Sequence, residues 1–205
     1  MSPKVSKEHK EQRRAELLEA AKTVFIERGY ERATMKHIME EANVSRGGLY
    51  QYFSSKEDVY EAILKEGLET AMEDTEEVLK KEELTHWALL MKRLFGEEQE
   101  LDEMDPMAPS NLEFFITGRN DERRRKYGKE RYFYGLSIYH DVIKKGQESG
   151  EFSSKFDSEM IARSIISFVD GLALDYAILD REDIKLKEQS IMFIEYLKMA
   201  LEVKE

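Results

Sequence analysis

Residues that break helices are few in this chain. Proline occurs only at positions 3, 106 and 109, and the single Asp-Gly pair, Asp170-Gly171, lies inside a run of helical period rather than between alternating strands. Cysteine is absent, which excludes a disulfide framework, a thiolate zinc site and a cysteine nucleophile. The sequence therefore predicts an all-α chain of about nine helices.

The first helix is predicted over about 8–28, because its apolar residues recur on one stripe and Gly29 stands where a left-handed residue ends a helix. Thr34 and Ser45 are N-caps of two short helices, and Ser54-Ser55 start a long fourth helix that runs to about residue 80. Residues 97–110 are predicted to be a loop. Further helices are predicted over about 83–96, 110–119, 121–148, 157–179 and 184–202.

Signals of catalysis, metal binding and membrane insertion are missing from the sequence. The four histidines are scattered at positions 9, 37, 86 and 140, with no HExxH pair, Gly-rich phosphate loop or GxSxG motif. We therefore expect no catalytic residue, no metal and no cofactor. Without an apolar leader or an apolar run of about 18 residues, the expectation is a cytoplasmic protein with no membrane partner.

The charge is distributed unevenly along the chain. The net charge is −11, but residues 1–56 carry eleven Lys/Arg against eight Asp/Glu, or +3, and residues 57–205 carry 21 against 35, or −14. A basic segment joined to an acidic one suggests nucleic-acid binding by the basic part. We accordingly predict a DNA-binding head over 1–56 and a helical body over 57–205.

The segment from Thr34 to Lys56 is the most informative part of the sequence. Two short capped helices separated by about three residues are typical of a helix-turn-helix, whose second helix enters the DNA major groove. Arg46 stands in the first turn of that helix, where its fork can bind guanine. Side chains suited to bases or phosphates lie around it, and the predicted DNA-binding residues are Thr34, Lys36, Ser45, Arg46, Gly48, Tyr50, Tyr52 and Lys56.

Taken one at a time, these residues are equally compatible with the solvated surface of any small helical bundle. Their ordered combination, however, resembles the DNA-binding head of the tetracycline-repressor (TetR) family of bacterial transcription regulators. The matching positions are Thr34, Ile38-Met39, Ala42, Val44-Ser45, Arg46, Gly47, Tyr50-Gln51-Tyr52-Phe53 and Lys56-Glu57. Met39 replaces the usual Ala, and Gly48 replaces a small side chain, which leaves more of the base reading to Arg46 and Tyr50.

The resemblance implies that the body binds an inducer and dimerises through two helices from each subunit. The last two predicted helices carry apolar stripes that fit this role, although periodicity alone does not distinguish an interface from a core. The predicted interface residues are Ile161, Ile165, Phe168, Leu172, Tyr176, Ile194 and Leu197.

A ligand site is predicted among aromatic and methionine side chains of the middle helices, since effector cavities are largely apolar. Each of these residues is also an ordinary core candidate, and Asp170 is alternatively a salt-bridge or rim residue. The predicted ligand-binding residues are Trp87, Met91, Phe95, Phe114, Tyr132 and Asp170. The basic run 119–131 is interpreted as a solvated helix face rather than as a second nucleic-acid surface.

Together these features predict a dimeric, ligand-responsive repressor that binds a palindromic double-stranded DNA operator and is released by a small-molecule effector. An all-α enzyme, or a helical scaffold with an incidental helix-turn-helix, is the alternative. A discrete, salt-sensitive complex with operator DNA would separate these classes.

Overall fold

The chain is mainly helical in the part that the computed structural model describes. That part comprises residues 7–80, 84–96 and 101–203, with 70–80 described by backbone alone. These ranges hold ten α-helices and one short 3-10 helix, Gly118–Asn120, and no strand. The α-helices are α1 Lys7–Arg32, α2 Met35–Glu41, α3 Arg46–Tyr50, α4 Lys56–Lys80, α5 His86–Phe95, α6 Ala108–Thr117, α7 Glu122–Glu148, α8 Ser158–Ile178, α9 Arg181–Ile184 and α10 Leu186–Leu201.

The helix bounds follow the sequence predictions to within about three residues, and three differences have a clear physical cause. Gly29 has the predicted positive φ, 74°, but helical turns resume after it, so it makes a kink inside α1. α6 begins at Ala108, ahead of the predicted start, because Pro109 falls in the first turn, where its missing N–H has no partner to lose. The four-residue α9 was not predicted, and it ends at Lys185, which adopts a left-handed conformation. Part of the predicted 97–110 loop, residues 97–100, lies outside the described residues.

Two compact units make up the chain, and they do not divide at residue 56. The first unit runs to Asp74 and also includes Pro109–Phe114, while the second comprises Thr75–Ala108 and Phe115–Glu205. Helices α4 and α6 therefore contribute residues to both units. The predicted functional boundary between 56 and 57 stays a prediction.

The core of the first unit centres on four aromatic rings. Phe25, Tyr30, Tyr60 and Phe114 are almost completely buried, and their ring centroids lie 4.7–6.0 Å apart. Aromatic pairs at such distances add to the stabilisation from apolar burial. The distant segment 109–114 is further fixed to this core, because the Ser110 hydroxyl donates to the Phe25 carbonyl oxygen at 2.6 Å.

The second unit has its own core, built mainly from α5, α7, α8 and α10. Buried side chains from these helices form one cluster, with Leu90, Ile143, Ile165 and Leu197 completely enclosed. Near the end of α7 the backbone of Gly146 packs directly against the Phe152 ring, and a Cβ on residue 146 would clash with that ring. Only glycine fits at that position without a shift of the ring.

A carboxylate from the loop after α7 holds the beginning of α5. Glu151 accepts the backbone N–H of His86 at 2.9 Å and that of Trp87 at 2.8 Å, and its Oε2 lies 2.6 Å from His86 Nδ1. Burial raises the pKa of Glu151, but these hydrogen bonds outweigh it and leave the pKa below its ordinary value.

None of the helices in the described ranges is long and apolar enough to cross a membrane. The same ranges contain no cluster of three or more His, Asp or Glu side chains placed to hold a metal ion.

Candidate nucleic-acid interface

The two short helices of the motif start at the predicted caps. The Thr34 hydroxyl accepts the His37 N–H at 3.2 Å, and the Ser45 hydroxyl accepts the Gly48 N–H at 3.2 Å. Between the helices Asn43 has a φ of 49°, which turns the chain sharply. Leu49 on α3 and Ile38 on α2 are fully buried, so the opposite side of α3 is left exposed. The structure thus places α3 as an outward-facing helix behind a tight turn.

Arg46 and Tyr50 form the outer face of α3. Both side chains are exposed, and the Arg46 guanidinium lies 5.2 Å from the centre of the Tyr50 ring, a cation–π geometry. No carboxylate lies within ion-pair distance of Arg46 in the part of the chain described. The guanidinium is therefore available to a base edge, with its orientation supported by the ring.

The remaining predicted DNA-binding residues differ in exposure. Lys36 is exposed and pairs with Glu40 at 3.5 Å, a solvated contact of small energy that a phosphate can replace. Tyr52 is half-buried. A Cβ on Gly48 would meet Val44 Cβ at 3.4 Å, so Gly48 points towards the turn, whereas Gly47 has nothing from the described residues within 4 Å. Gly47, rather than Gly48, therefore borders open space.

Lys56 makes contacts with the end of α1 in addition to its predicted role. Its ammonium donates to the Tyr30 carbonyl oxygen at 2.6 Å and to that of Glu31 at 3.3 Å, and it lies 4.2 Å from the centre of the Tyr30 ring. The ammonium thus binds backbone carbonyl oxygens near the C-terminal end of α1. The predicted phosphate contact of Lys56 stays a prediction.

The predicted dimer-interface residues mostly lie inside the second unit. Ile161, Ile165, Leu172 and Leu197 are 0–5% exposed and belong to its core. Phe168 is half-buried and stacks on Phe193 with ring centroids 3.9 Å apart. Tyr176 and Ile194 are also half-buried. The predicted apolar stripes are present on both helices. The four buried residues, however, have no exposed surface that a partner could contact, so we correct them from interface residues to core residues.

A second apolar stripe on the same two helices is exposed instead, and its residues are not among the predicted interface residues. Its members lie at alternating spacings of three and four on each helix, with small residues Ser164, Ser167 and Gly171 among them on α8. We call the exposed apolar residues the α8–α10 seam: Met160, Leu174, Ile178, Met192, Tyr196 and Met199. They are 45–71% exposed. Their spacing was readable from the sequence, but which stripe faces outward was not.

The predicted ligand-binding residues do not gather at one place. Trp87, Met91 and Phe95 belong to the core of the second unit or pack against it. Phe114 is buried in the aromatic cluster of the first unit, so its prediction as a ligand contact is corrected to a packing role. Tyr132 is on the surface, where its hydroxyl accepts a hydrogen bond from Arg163 at 3.1 Å.

Asp170 is exposed on α8 beside the α8–α10 seam. The protein atoms around it desolvate the carboxylate partly, and this raises the pKa of Asp170 above its ordinary value. No cation pairs with it among the described residues. In the basic run 119–131, most side chains are exposed, in keeping with the interpretation as a solvated helix face.

Two capped helices around a tight turn, with an unpaired arginine on the outer face of the second, define a helix-turn-helix DNA-binding transcriptional regulator. Comparison with known families assigns the chain further. Residues 17–63 match "Bacterial regulatory proteins, tetR family", and residues 90–187 match "Tetracyclin repressor-like, C-terminal domain". The chain belongs to the TetR family, a family of ligand-responsive DNA-binding regulators.

Relatives and solved structures agree with this assignment over nearly the whole chain. The HTH-type transcriptional regulator YfiR of Bacillus subtilis is 35% identical over 206 residues, which cover 100% of both chains. A TetR transcription regulator from Haloarcula marismortui has the same fold, with a TM-score of 0.75 at 22% identity over 93% of this chain and 99% of that one. FadR from Bacillus subtilis, solved with stearoyl-CoA, has a TM-score of 0.70 at 24% identity over 89% and 96%. The alternative of an enzyme or scaffold with an incidental helix-turn-helix finds no support among them.

Proposed function

We propose that the protein is a cytoplasmic repressor that binds a palindromic operator as a homodimer and is released from it by a small-molecule effector. The observation that carries the DNA-binding part is the exposed Arg46–Tyr50 pair on α3, supported behind by the buried Leu49. An arginine in the first turn of a reading helix is well placed for a bidentate contact with guanine. One five-residue helix reads few bases, so a second copy is needed for a specific site.

The α8–α10 seam supports the dimer. Six exposed apolar side chains lie on α8 and α10, and three of them, Met160, Tyr196 and Met199, line one surface groove. With Ser164, Ser167 and Gly171 included, the spacing of three and four residues is that of helices which pack in bundles. A Cβ on Gly171 would meet nothing within 4 Å in the described structure, which leaves room for a partner helix at the middle of α8. A two-fold axis through this face would bring two such seams together.

The charge distribution supports binding through the head alone. The first 56 residues carry +3 and the other 149 carry −14, so the phosphate backbone attracts one part of the chain and repels the other. This arrangement favours a single orientation on DNA and disfavours non-specific binding through the body.

Two helices that run from one unit into the other support the proposal that an effector changes DNA binding. Since α4 and α6 contribute residues to both units, a change of conformation in the second unit has a covalent route to the first. An effector shifts this equilibrium only as far as it binds one state more tightly than the other.

The test begins with sequencing of genomic DNA fragments retained by the purified protein, followed by gel shifts on the enriched site. Arg46→Ala is expected to weaken specific binding by about 1–3 kcal/mol and to relax base preference at one position in each half-site. Arg125→Ala, which removes an exposed arginine from α7, is the matched control and should leave binding unchanged. Unchanged affinity and preference in Arg46→Ala would refute the proposed reading role.

A further inference from the structure

Arg93 occupies an inward position on α5. Leu89 and Leu90 lie one helical turn before it and are 5% and 0% exposed, so Arg93 shares the side of the helix that faces the core. Two of its guanidinium nitrogens, Nε and Nη2, are enclosed and have no hydrogen-bond acceptor. No carboxylate forms an ion pair with Arg93 within the described ranges 7–80, 84–96 and 101–203.

Such a guanidinium is costly for the fold. Arginine is almost never deeply buried without a partner. Each enclosed donor without an acceptor loses its hydrogen bonds to water and gains no hydrogen bond within the protein. An aliphatic side chain at this position would be expected to be neutral or stabilising. Stability alone therefore does not account for an arginine at residue 93, whereas binding of an anionic group would.

The neighbouring groups on α7 add donors but no negative charge. Helix α7 packs against α5, and Tyr139 lies against the same core as the buried leucines of α5. The Arg93 charge lowers the pKa of both Tyr134 and Tyr139 on α7. Burial raises the pKa of both, that of Tyr139 to about 12, and the Arg93 charge only partly offsets this, so both are neutral at physiological pH. A neutral phenol donates one hydrogen bond, and a guanidinium has five N–H groups in a fork suited to two oxygens.

The surroundings of this donor set are apolar. Trp87, Leu94 and Phe95 on the same helix, together with Tyr139, are partly buried and pack against the core of the second unit. An inorganic anion would gain nothing from these side chains, whereas the hydrocarbon part of an organic anion would be buried among them.

We propose that Arg93, with the hydroxyls of Tyr134 and Tyr139, binds the anionic group of an effector that carries a carboxylate or a phosphate on an apolar body. This inference rests on the proposed ligand response, and it names the chemical class of the ligand. Binding itself needs no DNA and is therefore measurable on its own.

The test uses the single tryptophan of the chain, Trp87, which lies on the same helix as Arg93. Its fluorescence is followed during titration of the full-length protein with decanoate, decyl phosphate and uncharged decanamide. At least one of the two anions is expected to give a saturable change, with an affinity about tenfold or more above that of decanamide. The tighter anion identifies the group as carboxylate or phosphate. Equal binding of decanamide and the anions, or no binding of either anion, would overturn the proposal.

Two variants then separate binding from folding. Arg93→Met is expected to lose anion binding about tenfold or more while its melting temperature without ligand stays the same or rises. Arg93→Lys keeps the charge without the fork and should bind the anion with intermediate affinity. Arg125→Met, at an exposed position of α7, is the control and should bind as the wild type does.

A structural role for Arg93 would give the opposite pattern. In that case Arg93→Met lowers the melting temperature, and Arg93→Lys binds the anion as tightly as the wild type. Gel shifts on the operator form a separate arm. Loss of DNA binding there would count against the proposed repressor function, while Arg93-dependent anion binding would still support the site.

Discussion

At the scale of single residues, Gly47 is exposed on α3, and glycine is a residue type that destabilises a helix. Nothing in the described structure lies within 4 Å of the point where its Cβ would stand, so packing inside the protein does not require glycine. A glycine inside a helix costs about 1 kcal/mol relative to alanine. In the proposed complex, DNA approaches α3 closely at this position, which gives a reason for a residue without a side chain.

Gly47→Ala is therefore expected to keep or raise the stability of the free protein, by up to about 1 kcal/mol, and to weaken operator binding. A steric conflict of about 1–3 kcal/mol corresponds to roughly 5- to 150-fold in affinity. Thermal unfolding and gel shifts measure the two effects. Gly48→Ala is the control, since its Cβ makes ordinary contact with Val44 and should not touch DNA. Equal operator affinities of both variants would contradict the close approach.

At the scale of secondary-structure elements, α5 depends on a residue that is distant in sequence. Its own cap, Thr85, accepts the Ala88 N–H at 3.1 Å, and Glu151 satisfies two further N–H groups of the first turn. A carboxylate at a helix N-terminus is stabilised both by these hydrogen bonds and by the helix dipole. Glu151 thereby ties the loop after α7 to the start of α5.

Glu151→Gln is expected to lower the free energy of unfolding by about 1 kcal/mol at neutral pH. The pKa of Glu151 in the fold lies below the ordinary 4.5, so its contribution is complete above the unfolded-state pKa and is lost as the pH falls through the folded-state pKa. Urea unfolding at a series of pH values should thus show the difference between wild type and variant shrinking in acid. Glu148→Gln, exposed at the end of α7, should show no such trend. A difference independent of pH would exclude the carboxylate charge as its source.

Helices could be predicted from the sequence where the interactions that start and end them are between residues close in the chain. Thr34 and Ser45 cap their helices within three residues, and both caps were readable from the sequence. The hydrogen bond from the His86 N–H to Glu151 joins residues 65 apart in the chain, and no local sequence pattern indicates it. Arg93 was readable in principle, as a charge one turn after two leucines, but only the structure shows that its nitrogens are enclosed.

At the scale of the whole molecule, α8 and α10 each carry two apolar stripes with different uses. One stripe, with Ile165 and Leu197, fills the core, and the other forms the exposed α8–α10 seam. The helical period alone does not show which stripe is buried and which is exposed, since both repeat at spacings of three and four. The choice depends on where α5 and α7 pack, which is why the predicted interface residues were those of the core.

Leu174→Glu, in the C-terminal part of the seam on α8, is expected to give a monomer, because a two-fold interface would bury two like charges. Analytical ultracentrifugation should show half the mass with unchanged helix content by circular dichroism, and operator affinity should fall as well. Phe133→Glu is the control, since Phe133 is 55% exposed on α7 and lies outside the seam. An unchanged mass for Leu174→Glu would move the interface to another face.

The inclusion of residues 109–114 in the first unit has a consequence for synthesis of the chain. Helices α1 to α3 leave the ribosome long before Phe114 joins Tyr30 and Tyr60, and before Asn111 accepts the Tyr60 hydroxyl at 2.8 Å. Until then the nascent helix-turn-helix exposes an unfinished aromatic core, and the 34 residues from 75 to 108 must be made first. A fragment ending at residue 74 would remain in that incomplete state, so the DNA-reading helix is fully supported only after more than half of the protein has been translated.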